Sequence, residues 1–403
     1  MSHFAVIGAG QAGASLVARL RAQGFDGQIT LLGDEPVPPY QRPPLSKKFL
    51  LGEMAEERLY LRPEAWYADN GITLRPGCEV EALLPAAREI VLTGGEVLRY
   101  DTLALTTGAR PRPLPGAIGG DLANVFCVRA LDDIRRLAPH VVPGARVLIV
   151  GGGYIGLEAA AVAAQKGMQV TLIEQAERIL GRVAAPETAA YFRALHQANG
   201  VQIREGTGLE RLLGDDAASG AILSDGTHLD LDLVIVGTGI LPRTRLAEEA
   251  GLLLDNGIAC DATGRTSDPH IWAAGDCASI PHGVGRLRLE SVQNAIDMAE
   301  CVADNMLGAG RDYAPHPWFW SDQYDVKLQI AGLSTGYDRL VTRRDDRGAR
   351  SHWYYAGDQL LAVDAMNDPR GYMVGKRLIE AGRTADPGRI ADPATNLKEL
   401  LTP

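Results

Sequence analysis

The chain has 403 residues, of which 46% are hydrophobic and 22% are charged, and its formal net charge is −10. A chain of this length needs more than one hydrophobic core, so we expect two or three globular domains of α/β composition. The acidic balance argues against a nucleic-acid-binding or anionic-membrane surface, and the sequence has neither a long apolar run nor a basic leader, which predicts a cytoplasmic protein.

The first predicted element is a βαβ unit at the start of the chain. A strand (HFAVIGAG) is followed by a helix (ASLVARLRAQG) that Gly24 closes, and by a strand (QITLLGDE) that delivers Asp34 at its end. The first turn carries three glycines in G-x-G-x-x-G spacing: Gly8, Gly10 and Gly13. Such a turn after a strand and before a helix is typical of dinucleotide binding.

The chain repeats this unit further on. A strand (ARVLIVGG) leads into a helix (GLEAAAVAAQKG) closed by Gly167, and the next strand (QVTLIE) ends in Glu174. The second turn has the same spacing, with Gly151, Gly153 and Gly156. The repeat therefore predicts a second nucleotide site, and a duplicated domain with one degenerate site is the alternative.

The two turns have a simple physical interpretation. Glycine lets the backbone approach a pyrophosphate, whose charge lies at the helix N-terminal N–H groups, and the carboxylate that follows accepts hydrogen bonds from a ribose. Asp34 and Glu174 are the two candidate ribose ligands. Because a carboxylate repels a 2′-phosphate, Glu174 favours NADH over NADPH, although nearby Arg178 leaves NADPH open.

Further strands end in glycine-containing turns. LTTGARPR lies between the two units, and VGTGILPR and HIWAAGDCASI follow the second. In the last of these, Asp276 read alone is a helix N-cap, but beside two nucleotide sites a contact to a ribityl chain is the better interpretation. The composition changes at PHPWFWSDQY, which we interpret as the start of a third, α+β domain.

The five cysteines are scattered, without a close pair. This spacing predicts neither a disulfide framework nor a metal site. Cys277, next to Asp276, is the thiol closest to a predicted site residue, and an acidic neighbour argues against a reactive thiolate.

The joint order of the motifs resembles that of the pyridine nucleotide-disulfide reductase superfamily, and within it the FAD-dependent ferredoxin reductases of bacterial oxygenase systems, the putidaredoxin reductase type. The motifs are GAGQAG, PPLSK, LTTGARPR, GGGYIGLE, VTLIE, VGTGILP, AAGDCA, ESVQNA and WFWSDQY. The resemblance implies an α/β fold with two Rossmann-like domains of glutathione-reductase type and a C-terminal α+β domain. The implied boundaries are 1–112 and 237–314 for a discontinuous FAD domain, 113–236 for the NADH domain and 315–403 for the C-terminal domain.

The resemblance also implies site residues. The residues that it places at the FAD are Ala12, Gly13, Asp34, Lys47, Val80, Arg129, Asp276 and Val292. Lys47 and Glu158 would form an ion pair near the flavin N5, and Trp320 would lie at the far face of the flavin. Taken singly, the two charged residues would be surface helix residues and the tryptophan an ordinary core aromatic.

The implied reaction is hydride transfer from NADH to FAD, followed by single-electron transfer to a two-iron, two-sulfur ferredoxin that supplies a cytochrome P450 or a ring-hydroxylating dioxygenase. PVPPYQRPPLSKKFL contains no cysteine, which disfavours thiol-disulfide chemistry. We expect the ferredoxin to be an acidic, transient partner of a monomer or weak dimer. A basic run in the C-terminal domain is either its docking site or a solvated hairpin: Arg339, Arg343, Arg344, Arg347 and Arg350.

Three alternatives stay open. A rubredoxin or a nitrite-reductase-type electron donor would use the same chemistry, and a small acceptor such as the monodehydroascorbate radical or a quinone comes next. From another class, the chain resembles the apoptosis-inducing factor group, whose members serve partly as interaction proteins. That group predicts a targeting segment, a basic surface or long insertions, none of which is evident in the sequence.

Overall fold

The computed structural model describes residues 2–345 and 348–402, and its contacts divide the chain into two units. The first unit consists of Met1–Gln41, Ala55–Arg110 and Ile240–Pro317. The second consists of Arg42–Met54, Pro111–Gly239 and Trp318–Pro403. Both units are thus discontinuous in sequence, and each contains one of the two predicted glycine turns.

A five-stranded parallel sheet forms the centre of the first unit. Four of its five strands are mostly apolar, as is typical of a buried parallel sheet, and the edge strand Ile72–Arg75 is partly polar and partly exposed. Their order across the sheet is Ile271–Ala273, Thr102–Leu105, His3–Ile7, Gln28–Leu32 and Ile72–Arg75. The helices Gln11–Ala22 and Val292–Met306 pack together, and Arg19 Nε lies 2.7 Å from Asp304 Oδ1.

Smaller elements complete the first unit. Two three-stranded sheets contain Val80–Leu84, Glu89–Leu92 and Val97–Arg99, and Ile258–Ala259, Ala278–His282 and Gly285–Leu287. The short helices are Glu64–Asp69 and Arg245–Glu249. Two further short strands, Ala109–Pro111 and Ile240–Pro242, lie where the chain passes between the units.

The second unit repeats the architecture with its own five-stranded parallel sheet. The strand order is Gln202–Glu205, Gln169–Glu174, Arg146–Val150, Leu233–Val236 and Val125–Cys127. An antiparallel three-stranded sheet contains Leu209–Leu213, Gly220–Leu223 and His228–Asp230. The helices of this part are Leu131–Leu137, Tyr154–Gln165 and Pro186–Ala198. Both predicted βαβ units are therefore confirmed, each within a parallel sheet.

The C-terminal residues form an antiparallel sheet with helices, which confirms the α+β type predicted for them. The strand order is Trp318–Gln323, Val326–Gly332, Gln359–Met366, Arg350–Ala356 and Arg339–Arg344. The helices are Pro369–Glu380 and Pro387–Ala391. Contacts group this segment with 111–239 in one unit, and the finer boundaries given above stay a prediction. In the part of the chain that the structure describes, no helix is both long and apolar enough to cross a membrane.

A buried polar cluster joins the helix Pro186–Ala198 to the C-terminal sheet. Thr188 Oγ1 donates to Asp364 Oδ2 at 2.8 Å, and His352 Nδ1 lies 2.7 Å from the same hydroxyl oxygen. The hydroxyl has one hydrogen, so neutral His352 donates from Nδ1, and its Nε2 is buried without a partner among the described residues. Tyr354 also donates to Asp364.

The pH dependence of stability tests this cluster. Burial, helped by the positive charges of Arg350 and Arg344, lowers the pKa of His352 from 6.5 to about 4. The contribution of His352 to the free energy of unfolding therefore decreases as the pH falls from 6.5 towards 4, because the unfolded chain takes up the proton first. Urea unfolding of His352→Gln should lack this loss, so its stability relative to the wild type rises by about 3 kcal/mol over that interval.

The carboxyl group of Asp364, in the same cluster, has the opposite effect on the pH dependence of stability. Burial raises the pKa of Asp364 from 3.8 to about 6, partly offset by the hydrogen bonds from Tyr354 and Thr188. The contribution of Asp364 to the free energy of unfolding therefore increases as the pH falls from 6 towards 4, and Asp364→Asn should lose about 3 kcal/mol relative to the wild type over that interval. Parallel pH profiles for the wild type and both variants would contradict these pKa shifts.

Candidate functional site

The first glycine turn is built around close backbone contacts. A Cβ atom on Gly8, which has a φ of +112°, would lie 2.2 Å from the carbonyl oxygen of Thr106. A Cβ on Gly13 would lie 2.0 Å from the carbonyl oxygen of Gly8. Gly10 has no neighbouring atom within 4 Å of such a position. Packing therefore requires Gly8 and Gly13, whereas Gly10 keeps a space open at the start of the helix Gln11–Ala22.

The second turn has the same construction. A Cβ on Gly151, at a φ of +109°, would lie 2.5 Å from the carbonyl oxygen of Gly237, and one on Gly156 would lie 2.0 Å from that of Gly151. Gly153 again faces open space within 4 Å. In both turns the middle glycine leaves space at a helix N-terminus, where backbone N–H groups are suited to bind a phosphate.

The loop that contains the AAGDCA motif packs against the first glycine turn. A Cβ on Gly275 would lie 3.0 Å from the Cβ of Ala12 and 3.8 Å from that of Ala295, so this loop packs against the start of two helices. A strand, Ala278–His282, follows it, which excludes the interpretation of Asp276 as a helix N-cap. The structure therefore brings Ala12, Gly13 and the Gly275–Asp276 loop together.

Asp34 forms an ion pair that the sequence analysis missed. Arg243 Nη1 lies 2.5 Å from Asp34 Oδ2, with both side chains about half exposed. The backbone of Arg243 is fixed by Gly108, whose carbonyl accepts from its N–H at 2.9 Å, and by Thr107, whose hydroxyl donates to its carbonyl at 2.7 Å. The arginine that ends VGTGILPR was the available signal, but nothing local connects it to Asp34.

Glu174 is tied to the second turn by backbone hydrogen bonds. The N–H of Gly152 donates to Oε2 at 2.7 Å, and the N–H of Ala176 donates to Oε1 at 2.8 Å. A carboxylate bound in this way is oriented before any ligand arrives. Nearby Arg178 donates to the carbonyl of Gly181 at 3.3 Å.

Lys47 and Glu158 form a buried ion pair, with Nζ 2.8 Å from Oε2. Their side chains are 15% and 2% exposed. The alternative interpretation of the two residues as surface helix residues is therefore wrong. Lys47 follows the short 3-10 helix Pro43–Ser46, and Glu158 lies in the helix Tyr154–Gln165. Two serines missed by the sequence analysis complete the cluster: Ser46 donates to Oε2 and Ser321 donates to Oε1, each at 2.7 Å.

The remaining predicted residues lie at defined places. Val80 is buried at the start of its strand, and its carbonyl accepts from Arg245 at 3.2 Å. Val292 is the first residue of its helix, and the carbonyl of Arg129 accepts from Arg42 at 2.9 Å. The roles of these three residues at a cofactor stay a prediction.

Trp320 lies in the strand Trp318–Gln323. Its ring centroid is 5.5 Å from that of Trp318 and 6.5 Å from that of Phe319. It therefore belongs to an aromatic cluster, and its placement against a flavin stays a prediction.

Three of the five cysteines are buried, namely Cys260, Cys277 and Cys301, and Cys78 and Cys127 are partly exposed. Cys277 is 0% exposed, and burial raises its pKa. Burial also raises the pKa of Cys260, to about 12. Both effects oppose thiolate chemistry.

Two arginines of the predicted basic run can be located relative to the described residues. Arg343 donates to the carbonyl oxygens of Ile390 at 3.1 Å and Thr395 at 2.9 Å, so this member of the basic run anchors the C-terminal segment. Arg347 lies outside the described residues.

Within 2–345 and 348–402, no group of three or more His, Cys, Asp or Glu side chains has the arrangement of a metal site.

Two family models match the chain. Residues 2–299 match the model described as pyridine nucleotide-disulphide oxidoreductase, and residues 318–401 match the model described as reductase C-terminal. Together they cover both glycine turns and the antiparallel sheet.

Named relatives and a solved structure match over nearly the full length. The chain is 42% identical to a ferredoxin–NAD(P)(+) reductase of a Sphingomonas species, covering 99% of this chain and 97% of the relative. It is 40% identical to the ferredoxin–NAD(+) reductase component of the anthranilate 1,2-dioxygenase system of Burkholderia cepacia, covering 99% of both. The crystal structure of a covalent putidaredoxin reductase–putidaredoxin complex superimposes with a TM-score of 0.95 at 40% identity, covering 99% of this chain and 98% of the other.

Proposed function

Because the chain belongs to the pyridine nucleotide-disulphide oxidoreductase family, we propose that it is an NADH-dependent flavoprotein that reduces a two-iron, two-sulfur ferredoxin. The observation that carries the proposal is the pair of glycine turns, which have the same close contacts and the same open middle position. When bound, FAD accepts a hydride from NADH and releases the electrons one at a time, a chemistry that the cofactor itself supplies.

The first unit supplies the residues proposed to hold FAD. The open position at Gly10 and the N–H groups at the start of the helix Gln11–Ala22 suit the pyrophosphate. Asp34 would accept hydrogen bonds from the ribose, with Arg243 fixing the carboxylate. Asp276, in the loop packed against Ala12, would bind the ribityl chain.

The second unit supplies the residues proposed to hold NADH. The open position at Gly153 and the N-terminus of the helix Tyr154–Gln165 suit the second pyrophosphate. Glu174, already oriented by two backbone N–H groups, would accept hydrogen bonds from the free 2′-hydroxyl of the ribose.

Lys47 and Glu158 are proposed to act electrostatically on the flavin. The ammonium group of Lys47 favours electron density on the reduced ring, and the carboxylate of Glu158 tempers that effect. Their burial supports the proposal, because charges interact more strongly when water is excluded.

A ferredoxin is proposed as the acceptor, since relatives that match over almost the whole chain are named ferredoxin reductases. Burial of Cys277 and Cys260 disfavours a dithiol route. The ferredoxin in turn would supply a cytochrome P450 or a ring-hydroxylating dioxygenase. We propose further that the partner is acidic and transient, that the reductase is a monomer or weak dimer, and that it is cytoplasmic.

The visible spectrum and stopped-flow kinetics test the proposal. The purified protein should be yellow, should bleach on addition of NADH, and should then reduce two-iron, two-sulfur ferredoxins from its own genome. Bleaching followed by transfer to a rubredoxin or quinone alone would identify a different acceptor. A colourless protein that takes up no FAD would overturn the proposal.

Glu174→Gln tests the choice of nicotinamide cofactor. Loss of the carboxylate should lower the ratio of kcat/KM for NADH over NADPH by about tenfold or more, because hydrogen bonds to a charged group contribute about 1.5–3 kcal/mol. Glu177→Gln is the matched control, since Glu177 is an exposed carboxylate close to Glu174. Equal ratios in the wild type and Glu174→Gln would show that this carboxylate does not select the cofactor.

A further inference from the structure

Three donors converge on the buried carboxylate of Glu158. Oε2 accepts from Lys47 Nζ at 2.8 Å and from Ser46 Oγ at 2.7 Å, while Oε1 accepts from Ser321 Oγ at 2.7 Å. Ser46 and Ser321 are 3% and 0% exposed. Ser321, in the C-terminal sheet, therefore donates to Oε1, whereas Lys47 and Ser46 both donate to Oε2.

A chain of hydrogen bonds continues from Ser321 through buried side chains. Gln323 Nε2 donates to Ser321 Oγ at 3.1 Å, and Gln323 Oε1 lies 2.8 Å from His196 Nε2. His196 Nδ1 in turn lies 3.1 Å from the hydroxyl oxygen of Tyr324. Gln323 and His196 are both 0% exposed, so water does not compete for these bonds.

The direction of each bond follows from the chemistry of the groups. A carboxylate only accepts, so Ser321 must donate its one hydrogen to Glu158 and can only accept from Gln323. The amide of Gln323 must then donate to Ser321 and accept from His196. Neutral His196 therefore carries its hydrogen on Nε2, and burial lowers its pKa, which favours the neutral form.

The alternation of the strand Trp318–Gln323 places these residues on one face. Phe319, Ser321 and Gln323 share that face, opposite the face of the two tryptophans. The ring of Phe319 lies 4.8 Å from that of Tyr154, one helical turn before Glu158. The WFWSDQY motif thus contributes a polar pair as well as its aromatic cluster.

We infer that Ser321 and Gln323 are positioning residues that hold the carboxylate of Glu158 in one orientation, with Oε1 directed at the hydroxyl of Ser321. The inference rests on the proposed function, because the carboxylate matters there through its charge. A buried carboxylate oxygen that loses its donor is left without a hydrogen bond, so the carboxylate should turn towards its remaining donors, Lys47 and Ser46. Because the amide of Gln323 does not readily transfer a proton, this series of hydrogen bonds positions side chains and does not conduct protons.

Ser321→Ala in the FAD-loaded protein tests the inference through two readouts other than activity. The midpoint potential of bound FAD should differ from that of the wild type, because the charge of Glu158 is no longer held in its original position. The infrared carboxylate stretches of Glu158, identified by their loss in Glu158→Gln, should shift in frequency in Ser321→Ala, because one oxygen has lost its donor. The double variant Ser321→Ala/Glu158→Gln should have the same potential as Glu158→Gln alone, since the two changes act through one group.

Two further variants keep the test independent of general destabilisation. Ser321→Thr retains the hydroxyl and should restore the wild-type potential. Ser351→Ala is the matched control, because Ser351 is a 0% exposed serine of the same sheet whose hydroxyl donates to Asp368 at 2.8 Å; its potential should equal that of the wild type. Additive shifts in the double variant, or equal potentials in Ser321→Ala and Ser351→Ala, would overturn the inference. A wild-type protein that binds no FAD would instead overturn the proposed function.

Discussion

Replacing Lys47 by alanine is expected to lower the midpoint potential of bound FAD and to slow hydride transfer from NADH by about tenfold or more. The substitution removes a positive charge that, in our proposal, favours the reduced ring. It also leaves the carboxylate of Glu158, which is 2% exposed, without its charged partner. Removing one member of a buried ion pair costs about 3–5 kcal/mol of stability, so the melting temperature should fall as well.

Glu158→Gln is the counterpart, and its potential should move in the opposite direction. Lys48→Ala is the matched control for Lys47→Ala, because Lys48 is an exposed lysine next in sequence. Anaerobic redox titration and stopped-flow reduction measure both quantities, and Lys47→Met serves if the alanine variant is too unstable. Shifts of the same sign for Lys47→Ala and Glu158→Gln, or no shift in either, would contradict the proposed role of the pair.

The sequence predicted the elements whose signals are local. Each glycine turn lies directly between its strand and its helix, and the residues that close each helix follow within the same segment, so pattern and punctuation sufficed. The α+β type of the C-terminal residues followed from a change of composition at PHPWFWSDQY. The motif order supplied the family, which the full-length relatives confirm.

The sequence could not predict contacts between distant segments. Ser321 is 163 residues from Glu158, and Arg243 is 209 residues from Asp34, so no local pattern links either pair. The burial of Glu158 is likewise a consequence of the strand Trp318–Gln323 packing onto its helix. The grouping of the C-terminal sheet with 111–239 depends in part on Thr188 and Asp364, which are 176 residues apart.

The same limit applies inside the G-x-G-x-x-G pattern. The spacing alone does not distinguish the three glycines, but in the structure the first and third have close backbone contacts and the middle one has open space around it. Gly8 and Gly151 are constrained by carbonyl groups of Thr106 and Gly237, which belong to another strand end of each sheet. Which glycine is needed for the fold, and which is open towards a ligand, is therefore set by tertiary contacts.

Alanine substitutions at the middle glycines should separate the two proposed cofactor sites. Gly153→Ala is expected to raise the KM for NADH by about 10–100-fold and to leave the FAD content unchanged, whereas Gly10→Ala is expected to abolish FAD retention. Gly153 and Gly10 have φ of −79° and −94°, which alanine also adopts, and no atom lies within 4 Å of the added Cβ. An alanine there disturbs only the approach of a pyrophosphate, so thermal unfolding of the apoprotein should be unchanged.

Gly156→Ala and Gly13→Ala provide the contrast, because each added Cβ would lie 2.0 Å from a backbone carbonyl oxygen. Such crowding costs about 1–3 kcal/mol, so these variants should unfold at lower temperature whether or not a nucleotide is present. Flavin absorbance, NADH kinetics and thermal unfolding of all four variants distinguish the two kinds of glycine. If Gly153→Ala loses FAD while keeping its affinity for NADH, the assignment of the second turn to NADH is wrong, and the two turns exchange roles.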